Sequence, residues 1–306
     1  MQIFDQAQTA AALPYAKLVP AVAQAARELS SKAILAPERQ VVTIDAASVL
    51  LSMPAIGDDI SVTKLITVHA NNAKHGLPAI QGEVIAFETA TGRRLAMLDG
   101  PTVTARRTAA MTLLGIETLA PKRPSSALII GTGAQASAHA DALVEFFGVS
   151  QFWIAGLDAV GVATFCKTLQ ERHARIAAFP LAAGSLKHEV PETDVVIALT
   201  TSKTPVIPVA IALHTLAIGV GAFKPDMAEF PPELLHSRQI IVDDLDGARH
   251  EAGDLIQANV DWTRVVDLGA VLSGRCARPA QVPVFKTVGQ AAWDLAAARV
   301  AVRPEN

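Results

Sequence analysis

The sequence is poor in aromatic and charged residues. Aromatic residues make up 5% of the 306 residues and charged residues 18%, whereas apolar residues reach 51%. The core must therefore be filled by Ala, Val, Leu and Ile, a composition typical of packed layers of helices and β-sheets. A chain of this length is expected to form one or two domains.

Cysteines and long apolar runs are also scarce. Cys166 and Cys276 are too few for a disulfide framework in a chain of this length, so we expect reduced thiols and a cytoplasmic protein. The first residues lack the basic and apolar regions of a secretory signal. The most apolar stretch, Pro205–Phe223, is interrupted by proline, histidine and glycine, which predicts a turn, a short helix and a buried strand, not a membrane span.

Several partner and reaction classes lack support. The net charge of -3 gives no electrostatic reason to expect nucleic acid or an anionic membrane as partner. The sequence has neither a His-x-x-x-His nor a Cys-x-x-Cys spacing, which argues against a metal site. It also lacks Gly-x-Ser-x-Gly, so serine hydrolysis has no support. The expected partner is a small molecule.

The first part of the chain combines a helical segment with short strands. Leu and Val recur at helical spacing in the Ala-rich segment Thr9–Ser30. Because Pro14 and Pro20 interrupt it, a regular helix is predicted only after Pro20. Successive apolar runs, typical of an antiparallel or mixed sheet, predict strands over Val41–Ile44, Val49–Met53, Ser61–Val68, Ile80–Glu88 and Arg94–Leu98.

A change of pattern follows a second helix, predicted from Pro101 to Leu119. The charged, proline-containing stretch Ala120–Pro124 predicts a domain boundary. From Ser126 strands and helices alternate, which indicates a doubly wound α/β sheet. The strands are predicted over Ala127–Ile130, Phe152–Ala155, Val195–Leu199, Leu216–Val220 and Ile240–Val242, and the helices over Ala134–Phe147, Ala159–His173 and Val288–Val300.

A glycine motif lies between the first strand and first helix of this alternating part. Gly131, Gly133 and Ala136 form the G-x-G-x-x-A fingerprint of dinucleotide binding. Gly131 permits the tight turn, Gly133 lets the backbone approach the pyrophosphate, and the following helix presents free N–H groups to the phosphates. We expect the coenzyme to contact Gly131, Thr132, Gly133, Ala134 and Gln135.

The end of the next strand bears on the choice of coenzyme. An acidic residue about 20 residues past the motif would hold the ribose 2′-hydroxyl of NAD. Gly156 occupies that position, and Asp158 lies slightly beyond it. Without the acid, nothing repels a 2′-phosphate, so we expect NADPH to be preferred, with NADH as a second option, and Gly156 to contact it.

Three cationic residues precede the glycine motif. Lys64 lies in an apolar strand, where a charge is costly unless it is paired or its stem extends to solvent. Arg39 follows Ala36–Glu38, and Arg107 lies near the start of the second helix; both are also compatible with surface positions. These residues are candidates for binding an anionic substrate.

At these residues the chain closely resembles the ornithine cyclodeaminase/mu-crystallin family. The resemblance spans nearly the whole chain in the family's order. It is carried by Val62–Pro78, Gly100–Ala110, Ile129–Ala136, Thr200–Ser202 with Pro205 and Val206, Glu251–Leu255 and Val284–Ala298. It implies an α/β fold with two parts. Residues 1–119 and 285–306 would form an α+β domain for substrate binding and dimerisation, and residues 120–284 a Rossmann domain.

The resemblance also implies roles for individual residues. Arg39 and Arg107 match arginines that bind the substrate α-carboxylate, and Lys64 matches the active-site lysine. Met53 and Gln81–Gly82 match the pocket lining. Thr200 and Thr201, which follow a Rossmann strand, are expected at the coenzyme, and the protein is expected to be a homodimer.

One position departs from the cyclodeaminases of the family. They carry Gly-x-Asp after a Rossmann strand, where the Asp helps to activate water, and here Phe223 holds that position. An apolar ring cannot accept a proton from water. The sequence thus resembles the imine-reducing branch, which reduces 1-pyrroline-2-carboxylate to L-proline and 1-piperideine-2-carboxylate to L-pipecolate. Phe223 is expected to line the substrate site, and Asp226 is interpreted as a turn or cap residue.

The expected mechanism follows from these assignments. Arg39 and Arg107 hold the carboxylate, Lys64 supplies positive charge and a proton near the imine nitrogen, and hydride moves to the α-carbon. Alternatives are ornithine cyclodeaminase or L-alanine dehydrogenase activity, and a non-catalytic NADPH-binding protein like mu-crystallin. Asp294, in the last helix, is interpreted as structural.

Overall fold

The computed structural model describes residues 1–182 and 184–302, without the side chains of residues 73 and 187. Contacts divide the chain into unit 1, Met1–Ala110 with Gln290–Asn306, and unit 2, Met111–Gly289. The division falls inside the helix Gly100–Leu119. The predicted boundary between residues 119 and 120 coincides with the end of that helix, and the predicted domain limits stay a prediction.

Unit 1 is a six-stranded sheet with helices on one face. Its helices are α1 (Gln6–Ala12), α2 (Tyr15–Ser30), the first half of α3 (Gly100–Leu119) and α10 (Ala291–Val302). Its strands are β1 (Gln2–Phe4), β2 (Gln40–Asp45), β3 (Ser48–Ile56), β4 (Ile60–His69), β5 (Ile80–Glu88) and β6 (Arg94–Asp99). The strand order is β1-β6-β5-β4-β3-β2, with β1 parallel to β6 and the other pairs antiparallel. The predicted mixed sheet is confirmed.

The predicted helix break at Pro20 is wrong. Asp5 caps α1 through its side chain, and Pro14 caps α2, but Pro20 lies inside the continuous helix α2. A proline there removes one backbone hydrogen bond. Burial of the neighbouring Val19 and Val22 holds the helix together across that position.

Unit 2 is built on an eight-stranded, fully parallel sheet. Its strands are β7 (Ser126–Ile130), β8 (Gln151–Ala155), β9 (Ala177–Pro180), β10 (Val195–Ala198), β11 (Leu216–Gly219), β12 (Ile240–Val242), β13 (Val266–Asp267) and β14 (Val284–Lys286). Its complete helices are α4 (Ala134–Phe147), α5 (Ala159–Arg172), α6 (Pro232–Ser237), α7 (Leu245–Glu251), α8 (Gly253–Gln257) and α9 (Leu268–Leu272). The order is β13-β12-β14-β11-β10-β7-β8-β9.

This order confirms the predicted Rossmann sheet. The chain runs outward from β7 through β8 to β9, then returns to β10 on the other side of β7, as a doubly wound sheet requires. The short strands β9, β13 and β14 were not predicted, because runs of two to four residues carry little periodicity. The predicted short helix before β11 is absent from the described residues, where prolines at 205 and 208 disfavour it. No described helix is long and apolar enough to span a membrane.

Candidate functional site

Lys64 lies near the middle of β4, on the strand against which helix α10 packs. It pairs with Met53 on β3 and Val84 on β5, so these three side chains share one face of the sheet. Helix α10 packs on these strands. The Lys64 side chain is 1% exposed and its Nζ lies 2.9 Å from Oδ2 of Asp294. The ammonium is therefore buried and paired, and does not extend to solvent.

Arg107 completes a cluster of three buried charges. It lies on α3 and is 6% exposed, and its Nε is 3.2 Å from Oδ1 of Asp294. Asp294 itself is fully buried on α10. One carboxylate thus faces two cations, which leaves a net positive charge in a buried place. Such a place favours an anionic ligand, because a buried cation without a full counter-charge is costly.

The cluster changes the acidity of Lys64. The pKa of Lys64 is lowered to about 8, chiefly by burial. The positive charges of Arg107 and Arg39 add to this lowering, and Asp294 opposes it. An ammonium group with a pKa in this range can donate a proton near neutral pH. Arg39 is half-buried and lies just before β2.

The other predicted lining residues of unit 1 differ in their surroundings. Met53 is buried beside Lys64. Gly82 has a φ of +133°, and a Cβ there would lie 2.2 Å from the carbonyl oxygen of Leu65. Only glycine fits that position in β5. Gln81 is exposed.

Asp294 is a functional candidate that the sequence interpretation missed. A second charge on α10 fixes the helix, because Arg299 pairs with Asp59 at 2.7 Å and with Glu28 on α2. These ion pairs anchor the helix that carries the Asp294 carboxylate. A carboxylate in the Ala-rich helix Ala291–Val302 was the available signal, since a buried charge requires a partner.

The glycine motif of unit 2 forms a tight turn between β7 and α4. Gly131 has a φ of +122°, and a Cβ there would lie 2.6 Å from the carbonyl oxygen of Leu199. Gly133 caps α4, and a Cβ there would meet nothing within 4 Å. Thr132 and Ala134 are exposed, while Ala136 is fully buried. The turn thus presents open backbone at a helix N-terminus, where a pyrophosphate could bind.

A buried histidine supports the start of α4. The Nδ1 of His139 donates to the backbone oxygen of Gln135 at 2.7 Å, and its Nε2 accepts from the Thr112 hydroxyl at 2.9 Å. Burial lowers the pKa of His139 to about 4, so the ring is neutral. This residue was not singled out from the sequence, and its contacts indicate a positioning function for the glycine turn.

The loop after β8 carries no carboxylate at its first two positions. Gly156 packs against Val162 and Thr132, and Leu157 is fully exposed. Asp158 caps α5, and its side chain accepts hydrogen bonds from the backbone N–H groups of the next turn. The nearest acid along the chain is therefore engaged by its own helix.

Residues after β10 and β11 complete the predicted set. Thr200 is half-buried and bonded to Glu229, while Thr201 is exposed. Phe223 is half-buried, with the Lys224 ammonium 5.9 Å from its ring centroid. The turn-residue interpretation of Asp226 is consistent with its exposed ion pair to Lys203, at 2.8 Å. Among the described residues no group of three or more metal-ligating side chains occurs.

These arrangements agree with comparisons to known proteins. The sequence model described as the ornithine cyclodeaminase/mu-crystallin family matches residues 2–303. The chain belongs to this family. It is 44% identical over 299 residues to the Delta(1)-pyrroline-2-carboxylate/Delta(1)-piperideine-2-carboxylate reductase of Azospirillum brasilense, covering 98% of this chain and 94% of that protein. It is 30% identical over 276 residues to the ketimine reductase mu-crystallin of Mus musculus, covering 87% and 84%.

Solved structures share the fold. The Thermococcus litoralis Delta(1)-pyrroline-2-carboxylate reductase in complex with NADH and L-proline matches with a TM-score of 0.87 and 22% identity, covering 99% of this chain and 96% of that one. An archaeal alanine dehydrogenase dimer with bound NAD matches with a TM-score of 0.87 and 24% identity, covering 99% and 95%. The predicted two-part α/β fold is thus confirmed.

Proposed function

We propose that this protein reduces cyclic imino acids with a nicotinamide coenzyme. The expected reaction converts 1-pyrroline-2-carboxylate to L-proline, with 1-piperideine-2-carboxylate to L-pipecolate as a second reaction. The observation that carries the proposal is the buried, net positive cluster of Lys64, Arg107 and Asp294. The names of the relatives at 44% identity support the same substrate class.

The residues of unit 1 would bind and protonate the imino acid. Arg39 and Arg107 would hold the carboxylate, because guanidinium groups match its two oxygens. The Lys64 ammonium would hydrogen-bond the imine nitrogen and donate the proton that the product amine retains. Asp294 would hold Lys64 and Arg107 in place. A bound nicotinamide coenzyme would supply the two electrons as a hydride to the C=N carbon.

The glycine turn of unit 2 fits such a coenzyme. Gly131 and Gly133 leave the backbone open, and the N-terminus of α4 offers N–H groups to the phosphates. Gly131, Thr132, Gly133, Ala134, Gln135, Gly156, Thr200 and Thr201 are the proposed contacts. Phe223 supports reduction over cyclodeamination, since its ring cannot act as a base toward water.

Assays of the purified chain test the proposed reaction. We expect NADPH absorbance at 340 nm to fall on addition of 1-pyrroline-2-carboxylate, with L-proline formed in equal amount. Release of ammonia from ornithine without net coenzyme consumption would instead establish a cyclodeaminase, and oxidation of L-alanine an alanine dehydrogenase. Binding of NADPH with no turnover of any imine would favour a binding protein.

We also propose that NADPH is preferred over NADH, and a single substitution tests it. Leu157 is fully exposed directly after β8, so Leu157→Asp adds a carboxylate without steric cost. Repulsion between this charge and the 2′-phosphate should lower kcat/KM for NADPH roughly tenfold and leave that for NADH unchanged. Leu213→Asp, at another exposed leucine of unit 2, is the control. Equal effects on both coenzymes would contradict the preference.

A homodimer is proposed from the exposed edge of unit 1. The edge strand β2 is exposed at all six positions, and its apolar Val41, Val42 and Ile44 are 54%, 47% and 53% exposed. Such an edge is normally covered in a soluble protein. The archaeal alanine dehydrogenase with this fold is described as a dimer. Analytical ultracentrifugation of the purified chain measures its oligomeric state, and a monomer at micromolar concentration would contradict the proposed homodimer. The cytoplasmic location stays a prediction.

A further inference from the structure

Unit 2 contains a second cluster of buried charges, distinct from that of Lys64. Glu229 and Lys286 are fully buried, and Asp254 is 2% exposed. The Lys286 Nζ lies 3.9 Å from Oε2 of Glu229 and 3.6 Å from Oδ2 of Asp254. Burying three charges is costly, and an apolar cluster of similar volume would stabilise the fold at least as well. The cluster therefore calls for an explanation beyond stability.

Glu229 binds two loops at once. Its Oε1 accepts hydrogen bonds from the backbone N–H of Thr200 at 2.7 Å and from the Thr200 hydroxyl at 3.1 Å. Its Oε2 accepts from the backbone N–H of Gly221 at 2.7 Å and of Ala222 at 3.1 Å. One carboxylate thus receives four hydrogen bonds from segments that are distant in sequence.

Both loops lie at the same edge of the parallel sheet. Thr200 follows the end of β10 at Ala198, and Gly221 follows the end of β11 at Gly219; Ala198 and Gly219 are paired neighbours. The loops are packed backbone to backbone, since a Cβ on Gly221 would lie 1.9 Å from the Thr200 carbonyl oxygen. Ligands of doubly wound sheets bind at this carboxyl edge.

The strand order assigns these loops to one half of the sheet. The glycine motif follows β7, which with β8 and β9 forms the first mononucleotide-binding half. β10, β11 and β14 form the second half, which in a dinucleotide fold serves the second nucleotide. Lys286 comes from β14 and pairs with Gly219 of β11, and Glu229 binds the loops after β10 and β11, so both residues act at this half.

We propose that Glu229 is a positioning residue for the nicotinamide half of the coenzyme. Its carboxylate fixes the Thr200–Thr201 segment and the Gly221–Phe223 turn relative to each other, and Lys286 and Asp254 help to orient Glu229. Asp254 contributes by accepting hydrogen bonds from the backbone N–H groups of Glu229 and Phe230, each at 3.4 Å. The inference rests on the proposed use of a nicotinamide coenzyme.

Binding measurements with two ligands on Glu229→Gln test this role. The amide keeps the size of the side chain but replaces one acceptor with a donor, which faces the N–H groups of one loop. We expect the Kd of NADPH to rise at least about tenfold. The Kd of 2′-phospho-ADP-ribose, which lacks the nicotinamide ring, should change less than about twofold. Glu233→Gln, at an exposed position on α6, is the control.

The outcomes separate positioning from general destabilisation. Equal weakening of both ligands, or unchanged NADPH binding in a folded Glu229→Gln protein, would overturn the assignment. If that variant does not fold, Glu229→Asp keeps the charge on a shorter arm and should show the same split between ligands, and loss of that split would also overturn it. Because neither ligand needs turnover, a wild-type protein inactive on every imine would sink the proposed reaction without affecting this result.

Discussion

Replacing Lys64 with Met is expected to lower kcat/KM for 1-pyrroline-2-carboxylate roughly 10³-fold, because the variant loses both a proton donor and a positive charge at the imine. Asp294 still pairs with Arg107 in the variant, so the charges that remain in the cluster balance each other. The methionine fills nearly the volume of the lysine stem. Thermal unfolding should therefore change little, and steady-state kinetics with circular dichroism measure both effects.

Lys74→Met is the matched control for this prediction. Lys74 is exposed, lies in the same unit as Lys64 and carries the same charge, but belongs to the short 3₁₀ segment Asn72–His75. We expect it to keep wild-type kinetics. A Lys64→Met enzyme with more than a tenth of the wild-type kcat/KM would remove Lys64 from the chemistry and leave it a substrate-independent ion-pair partner.

The sequence was most informative where local rules decide the structure. The prediction succeeded from β7 to α4, and it gave both ends of α4 correctly. An apolar run, the glycine fingerprint and a helical period follow one another there. Pro20 shows the opposite case, because burial of its neighbours overrides a local helix breaker. Periodicity does not report how much tertiary packing compensates a local defect.

The charge clusters could be predicted only in part. An apolar strand around Lys64 indicated a buried cation, but its partner Asp294 lies 230 residues further along the chain, and no local pattern joins the two. The same holds for Glu229, whose contacts join the loops after β10 and β11. The order of strands in the sheet creates these juxtapositions, so the residues are visible in the sequence while their partners are not.

Replacing Asp294 with Asn is expected to move the pH dependence of the reaction. In the wild-type protein kcat/KM should fall as the pH rises through about 8, the pKa to which burial lowers Lys64, because the ammonium donor is lost. Asp294 raises that pKa, so its removal leaves burial and the arginines unopposed. The alkaline fall should begin at least about one pH unit lower, which a pH profile of kcat/KM measures.

The free energy of unfolding should rise with pH, whereas kcat/KM should fall. A lysine whose pKa is lower in the folded than in the unfolded chain makes unfolding easier as the pH falls, since the unfolded chain binds more protons. Asp294→Asn should therefore cost about 3–5 kcal/mol at acidic pH and less at pH 9, where Lys64 is neutral. Asp246→Asn, at an exposed position on α7 of unit 2, should change neither property.

The double variant Lys64→Met with Asp294→Asn tests whether Asp294 stabilises the fold through its charge or through its packing. If uncompensated cations cause the loss in Asp294→Asn, removing Lys64 as well should restore part of the stability at acidic pH without restoring activity, while Arg107 stays without its counter-charge. The two substitutions would then be non-additive in unfolding free energy, and the double variant would be as inactive in kcat/KM as Lys64→Met alone. Additive losses of stability would mean that Asp294 acts through contacts within α10, and the assignment of Asp294 as the partner that tunes Lys64 would fail.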